Sequence, residues 1–322
     1  MSVFNLSWGN SVCVRESFLN TYHGNPLVLT KEDLSLYNYP EHSGDPELVE
    51  ITRKVIKRQT GQEYKHVFLV NGATGGVMIA LRAMKQRGVE ICITRKAPYY
   101  VKYPLIINTA GLEHVEKDDE SRDGVNLVDW PSNPLGLIDS FGSFDIPTIV
   151  DGVYLNNVYM SVRIPAPFHD IMIGSYSKLT GINGIRVGWL ATNDSNLARR
   201  FDSLVTAEYC GLDTASSQIL RHTLKGFDWP RFEALARLKL DMNREEWSRL
   251  EKFFGGTLVS PIGMFYYSPM DKKAQEIFAK AGVVWTKGSD LGANDGFARF
   301  NLGAKNEVIK QTVKAILKAD RR

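Results

Sequence analysis

A lysine flanked by two hydroxyls and followed by a glycine-spaced arginine stands near the middle of this chain. The run reads Ser175-Tyr176-Ser177-Lys178-Leu179-Thr180-Gly181-Ile182-Asn183-Gly184-Ile185-Arg186-Val187-Gly188-Trp189. An amine so placed can form a Schiff base with an aldehyde. The hydroxyls of Ser175 and Ser177 and the guanidinium of Arg186 can hold an anionic phosphate on the same molecule. Pyridoxal phosphate carries both groups. Ser175-x-x-Lys178 also fits the first motif of penicillin-recognising serine enzymes. Those enzymes need S-D-N and K-T-G partners, and the chain has Ser132-Asn133 and Lys287-Gly288 but neither full motif. A plain strand end running into a glycine-rich surface loop would produce a similar run.

The elements that must position these groups are legible around them. Short apolar runs occur at 66–70, 89–94, 126–130, 147–150, 171–174 and 187–191. Longer amphipathic or polar stretches separate several of them. The clearest is 74–87, with Val77, Met78, Ala80, Leu81 and Met84 at helical spacing. Strand–helix alternation predicts an α/β fold: a mostly parallel, seven-stranded type of sheet sandwiched by helices. A long charged helix is expected at 232–254, stopped by Gly255-Gly256. Strand, helix and strand are expected at 258–268, 274–281 and 297–302, and a terminal helix at 307–318. The expected division is a large domain over 36–235 and a smaller α+β domain from 1–35 and 236–322. The N-terminal stretch through about Lys31 shows no strong periodicity.

In open α/β sheets, ligands bind outside the carboxyl ends of the strands. Five predicted strands each deliver a chemically apt residue just past that end. Gly72-Ala73-Thr74 follow the first, where small residues let a phosphate approach the N–H groups of a helix start. Tyr100 lies in the segment after the second and could stack on a flat ring, although aromatic clusters also simply pack. Asn133 follows the third, in a turn that could aim its amide into the cleft. Asp151 and Tyr154 follow the fourth. A carboxylate there can pair with a pyridinium N–H and a phenol with a phenolate oxygen, although aspartate is also a common helix N-cap. Ser175 to Lys178 follow the fifth. Each has an ordinary structural explanation; together they fall on one edge of one sheet.

Bulk composition excludes several classes. The chain has 322 residues, 43% hydrophobic and 23% charged, which suits a globular protein with one large and one smaller core. A net charge of +3, without a Lys/Arg-rich block, gives no case for nucleic acid. Cys13, Cys92 and Cys210 are too far apart for a metal spacing or a disulfide framework, so no metal is expected. No apolar run reaches membrane-spanning length. The first residues lack a basic segment followed by an apolar one, so a cytoplasmic location is expected.

Taken together, the chain resembles fold-type I pyridoxal-phosphate enzymes of the class I/II aminotransferase group, from Tyr39 to Arg299 at least. The strongest match is Ser-x-Ser-Lys-x-x-Gly-x-x-Gly-x-Arg-x-Gly at 175–188. The resemblance implies that Lys178 carries the cofactor, that Ser175, Ser177 and Arg186 bind its phosphate, and that Gly72-Ala73-Thr74 form the phosphate cup. It implies Tyr100 as ring partner, Asn133 and Tyr154 on the phenolate oxygen, and Asp151 on the ring nitrogen. Lys178, Asp151 and Tyr154 are the catalytic candidates. Tyr39, in Tyr39-Pro40-Glu41-His42-Ser43-Gly44, resembles a tyrosine that reaches the phosphate of a neighbouring subunit, which implies a homodimer with shared sites. Arg299 resembles the arginine that grips the substrate α-carboxylate; the substrate-binding candidates are Arg299, Asn133 and Gly9. The implied activity is amino-group exchange between an L-amino acid and a 2-oxo acid. The alternative is a lyase, synthase or decarboxylase of the same fold, such as a C–S lyase, since the Ser-Lys run equally resembles aminocyclopropane-carboxylate synthases. Gly152 stands where the family often has an acid and Leu135 where threonine is usual, and no second arginine is placed for a side-chain carboxylate.

Overall fold

The computed structural model describes residues 3–24, 39–117, 123–136, 146–160, 169–254 and 262–321. The order begins with β1 (Phe4–Asn5), α1 (Val12–Thr21) and α2 (Pro46–Thr60). Strands and helices then alternate through β2 (His66–Asn71), α3 (Gly72–Lys85), β3 (Ile91–Thr94), α4 (Tyr103–Thr109) and β4 (Glu113–Glu116). Next come β5 (Val125–Asp129), β6 (Thr148–Asp151), β7 (Ile171–Ser175), the short α5 (Tyr176–Leu179) and β8 (Val187–Thr192). The helices α6 (Ser195–Tyr209), α7 (Thr214–Leu224) and α8 (Trp229–Ser248) follow. The chain continues through β9 (Phe265–Pro269), α9 (Lys272–Lys280), β10 (Val283–Val284), β11 (Thr286–Lys287), β12 (Phe297–Asn301) and α10 (Asn306–Asp320).

The main sheet has seven strands in the order β2-β8-β7-β6-β5-β3-β4. All run parallel except β8, which is antiparallel to both β2 and β7. The expected fold class is the one found. Every residue of β5, β7 and β8 is buried, which explains why these strands read as apolar runs rather than alternations. Their side chains still divide by parity. Val67, Leu69, Val128, Val150 and Met172 belong to one apolar cluster; Phe68, Val70, Leu127, Ile149 and Ile171 belong to another. Alternate residues of a strand face opposite sides, so each face of the sheet has its own core.

A three-stranded antiparallel sheet, β11-β12-β9, packs with α9 and α10 around a third cluster containing Trp247, Phe254, Phe278 and Phe300. Leu6, just after β1, joins that cluster, and β1 pairs in parallel with β10.

Several expectations need correction. The N-terminal stretch without periodicity contains α1. Its buried face mixes Cys13, Val14 and Phe18 with Ser17 and Thr21, whose hydroxyls bond the carbonyls of Cys13 and Ser17 one turn back. Self-satisfied hydroxyls can be buried without spelling an apolar stripe. The helix expected at 232–254 begins earlier, where Asp228 accepts the Arg231 N–H at 3.1 Å, and ends at Ser248 before a short 3-10 turn, Glu251–Phe253. Its expected stop at Gly255-Gly256 lies outside the described residues, as does the start of the strand expected at 258–268. Helices α2, α6 and α7 and the edge strand β4 had no sequence expectation.

Candidate active site

The carboxyl ends of the parallel strands open on a cavity of about 350 Å³. Its wall brings together Ala73 and Thr74 after β2, Tyr100 after β3, Asn133 after β5, Asp151 and Tyr154 after β6, and Ser175, Ser177 and Lys178 after β7. Arg186 reaches it by the opposite route. Because β8 is antiparallel, its first residues lie beside the last residues of its neighbours, with Val187 opposite Asn71 and Gly188 opposite Ser175. Gly9 comes from the N-terminal segment and Arg299 from β12.

Two candidates stand apart from the cavity wall. Gly72 lies just behind it with φ +65°, and a Cβ there would meet Arg186 Nη2 at 2.4 Å. A Cβ on Gly188 would meet the Gly72 carbonyl carbon at 2.6 Å. Two glycines of the sequence pattern therefore allow two backbones and the arginine to pass close together. Tyr39 is 89% exposed and does not line the cavity.

The short α5 turns the chain so that Lys178 enters the cavity. Its cap is Ser175, whose Oγ accepts the Ser177 N–H at 3.1 Å. Arg186 Nη1 donates to Ser177 Oγ at 3.3 Å. Lys178 Nζ donates to the Gly9 carbonyl at 2.6 Å and to Asn183 Oδ1 at 3.3 Å. Burial, with the nearby charges of Arg186 and Arg299, pushes the amine down to about 8. A lysine so shifted supplies a free amine near neutral pH, which a nucleophile or general base requires.

Asp151 accepts the Tyr103 hydroxyl at 2.9 Å and the Val153 N–H at 3.2 Å. Burial raises its carboxyl, and these two hydrogen bonds pull it back. Burial also raises Tyr154 well above the ordinary phenol range, so it stays a hydroxyl donor. The Arg299 guanidinium lies 4.2 Å over the Phe265 ring. It donates to Asn133 Oδ1 at 3.1 Å, to the Ser7 carbonyl at 3.0 Å and to Thr286 Oγ1 at 3.1 Å. Its Nε has no hydrogen-bond partner among the described residues. A buried, oriented guanidinium with an unused donor is suited to a carboxylate ligand.

Beyond the apolar Val77, Val101, Ile106 and Val153, sequence reasoning missed Tyr103, Asp129, Asn183 and Phe265 on the wall. Asp129 is the most surprising. It ends β5 directly opposite Asp151 in the sheet register, lies 3.5 Å from Arg95, and accepts the Asn133 N–H at 2.8 Å. Burial pushes its carboxyl up to about 6, against the pull of Arg95. The signal was available, because Asp129 ends an apolar strand run just as Asp151 does. Tyr103 and Asn183 sit inside segments already singled out, whereas Phe265 carries no local sign of its role.

Comparison with known proteins agrees with this architecture. The chain belongs to the Allinase family, whose model matches residues 59–254. It is 31% identical over 176 residues to tryptophan aminotransferase-related protein 1 of Oryza sativa subsp. japonica, a match covering 51% of this chain and 40% of that protein. The chain thus spans well under half the length of that relative. A longer, weaker match is the asparagine–oxo-acid transaminase of Streptococcus mutans, 23% identical over 328 residues, covering 86% of this chain and 82% of that protein. Among solved structures, the aspartate aminotransferase of Rhizobium meliloti superposes with a TM-score of 0.77 at 16% identity, over 99% of this chain and 92% of that one. The aromatic aminotransferase of Pyrococcus horikoshii gives 0.74 at 19% identity, over 99% and 95%. The fold is that of these enzymes. Among the described residues, no helix is long and apolar enough to cross a membrane.

Proposed function

We propose that this chain is a pyridoxal-phosphate-dependent aminotransferase that exchanges an amino group between an L-amino acid and a 2-oxo acid. The observation that carries the reading is the shared cavity: the lowered amine of Lys178, the Asp151 carboxylate and the oriented Arg299 guanidinium all line it. The residues fit the cofactor by their chemistry. Lys178 would take the aldehyde, and Ser175, Ser177, Arg186 and the helix start at Ala73-Thr74 would take the phosphate. Tyr100 would take the ring face, Asp151 the ring nitrogen, and Asn133 and Tyr154 the phenolate oxygen. When bound, pyridoxal phosphate supplies an electron sink for charge developing at the substrate Cα.

The chain's own residues do the rest. Asp151, whose carboxylate form is supported by the Tyr103 hydroxyl and the Val153 N–H, would face the ring nitrogen and favour its protonation. The amine of Lys178 would move the Cα proton, as base and then as acid. Arg299 and Asn133 fix the carboxylate, which selects the Cα–H bond for cleavage and protects the carboxylate bond. Two substrates that use one site in turn require ping-pong kinetics.

With an amino acid alone, the protein should release about one equivalent of 2-oxo acid and stop; adding a second 2-oxo acid should restart it. Both are read by chromatography of the products. Sustained turnover on the amino acid without an acceptor would overturn the assignment in favour of a lyase or synthase of the same fold.

The homodimer and the cytoplasmic location belong to the same proposal. An 89% exposed Tyr39 supports the first and the unpaired thiols of Cys13, Cys92 and Cys210 the second. Sedimentation velocity should give a dimer, with a fully active monomer as the contrary result, and cell fractionation should find the protein in the cytosol.

A further inference from the structure

One polar side chain of the Lys178 run lines the cavity without a part in the roles above. Asn183 opens a short 3-10 turn, Asn183–Ile185, and lines the cavity. Its Oδ1 lies 3.3 Å from Lys178 Nζ, and its Nδ2 donates to Asn10 Oδ1 at 2.8 Å. Its backbone carbonyl accepts from Arg186 Nη1 at 3.0 Å. The ammonium form of Lys178 has only donors, so the amide oxygen is the atom that meets it, and the NH2 group is left for Asn10. One residue therefore ties the amine, the phosphate arginine and the N-terminal segment together.

We propose that Asn183 is a positioning residue for Lys178, holding its amine against the Gly9 carbonyl and tuning its affinity for a proton. The catalytic consequence rests on the reading of Lys178 as the cofactor's anchor; the contact itself does not. Burial disfavours the protonated amine, and Arg186 just before β8 and Arg299 on β12 repel it further. Asp151, Asp129, Tyr100, Tyr103 and Tyr154 line the same cavity from the other strands. Against that background, among the described residues, the two oxygen acceptors that hydrogen-bond the amine and favour its charged form are Gly9 O and Asn183 Oδ1. The reaction needs both forms of Lys178, a free amine to accept the Cα proton and an ammonium to return it. A neutral amide beside it keeps the two in reach near neutral pH, whereas a carboxylate there would lock the ammonium.

The test measures the Lys178 amine directly. Wild type, Asn183→Asp and Asn183→Ala are acylated without cofactor by trace acetic anhydride across a pH series, and the Lys178 peptide is quantified by mass spectrometry. The wild-type midpoint is expected near 8. Asn183→Asp should raise it by about one unit or more, and Asn183→Ala should lower it by about half a unit. Asn183 is only half-buried, so both variants should fold, and melting temperatures check this. Asn183→Ser, a smaller change to the turn, should also lower the midpoint. Equal midpoints, or shifts of the same sign in the Asp and Ala variants, overturn the proposal. In parallel, pyridoxal phosphate is added to the same proteins and the rate of yellow colour formation is followed against pH; its midpoint should move with the acylation midpoint. Opposite acylation shifts in proteins that stay colourless would uphold Asn183 and refute the cofactor reading instead.

Discussion

Lys178→Ala is expected to abolish covalent capture of pyridoxal phosphate and to lower turnover by about four orders of magnitude. The amine would serve twice, as the anchor for the aldehyde and as the carrier of the Cα proton, and a positioned acid–base group alone contributes about 10²–10⁴-fold. Its environment suits both tasks. Burial and the charges of Arg186 and Arg299 bring it down to about 8, so a useful fraction is free amine at neutral pH. Lys178→Arg should fail equally, because a guanidinium stays protonated and is no nucleophile. The fold should survive, since among the described residues the side chain gives two hydrogen bonds, to the Gly9 carbonyl and to Asn183. Borohydride reduction of cofactor-treated wild type, followed by peptide mass spectrometry, should place the label on Lys178 and nowhere in the variant. A label on another lysine, or a variant within tenfold of wild-type turnover, would sink the assignment.

The next largest effect is expected at Arg299. Arg299→Met should reduce kcat/KM for the amino acid by about 30- to 1000-fold, the equivalent of about 2–4 kcal/mol for an unpaired buried carboxylate. Methionine preserves bulk and can pack on the Phe265 ring that now lies under the guanidinium. The protein itself should lose little stability, because burial already disfavours the charge and lowers its proton affinity. Arg299→Lys keeps a charge but cannot span Asn133 Oδ1, the Ser7 carbonyl and a carboxylate with one planar fork. It should therefore recover only part of the loss. Cofactor affinity, read by titration of the yellow absorbance, should change far less than substrate affinity. The reverse pattern, with cofactor lost and substrate affinity intact, would place Arg299 on the cofactor instead.

Much of this site could be read from the order of residues because the chemistry follows the local geometry of parallel strands. Each buried strand announces itself as a short apolar run, and whatever follows its carboxyl end must emerge at the same edge of the sheet. Thr74, Tyr100, Asn133, Asp151 and Lys178 were placed by that rule, and Asp129 was accessible to it. Arg186, Arg299 and Gly9 were named from the lysine run and the resemblance, but only the tertiary structure shows how they reach this cavity. Arg186 shares the cavity because β8 runs antiparallel, a pairing direction that an apolar run does not encode. Arg299 and Phe265 arrive from strands of a different sheet. The Ser7 and Gly9 carbonyls, which hold Arg299 and Lys178, carry no side-chain signal at all. Asn183 lay in plain view in the lysine run, but its role depends on which amide atom turns to Lys178 and which to Asn10. Periodicity reports which face of an element is buried; it is blind to strand direction, to backbone donors and acceptors, and to contacts between residues far apart in the chain.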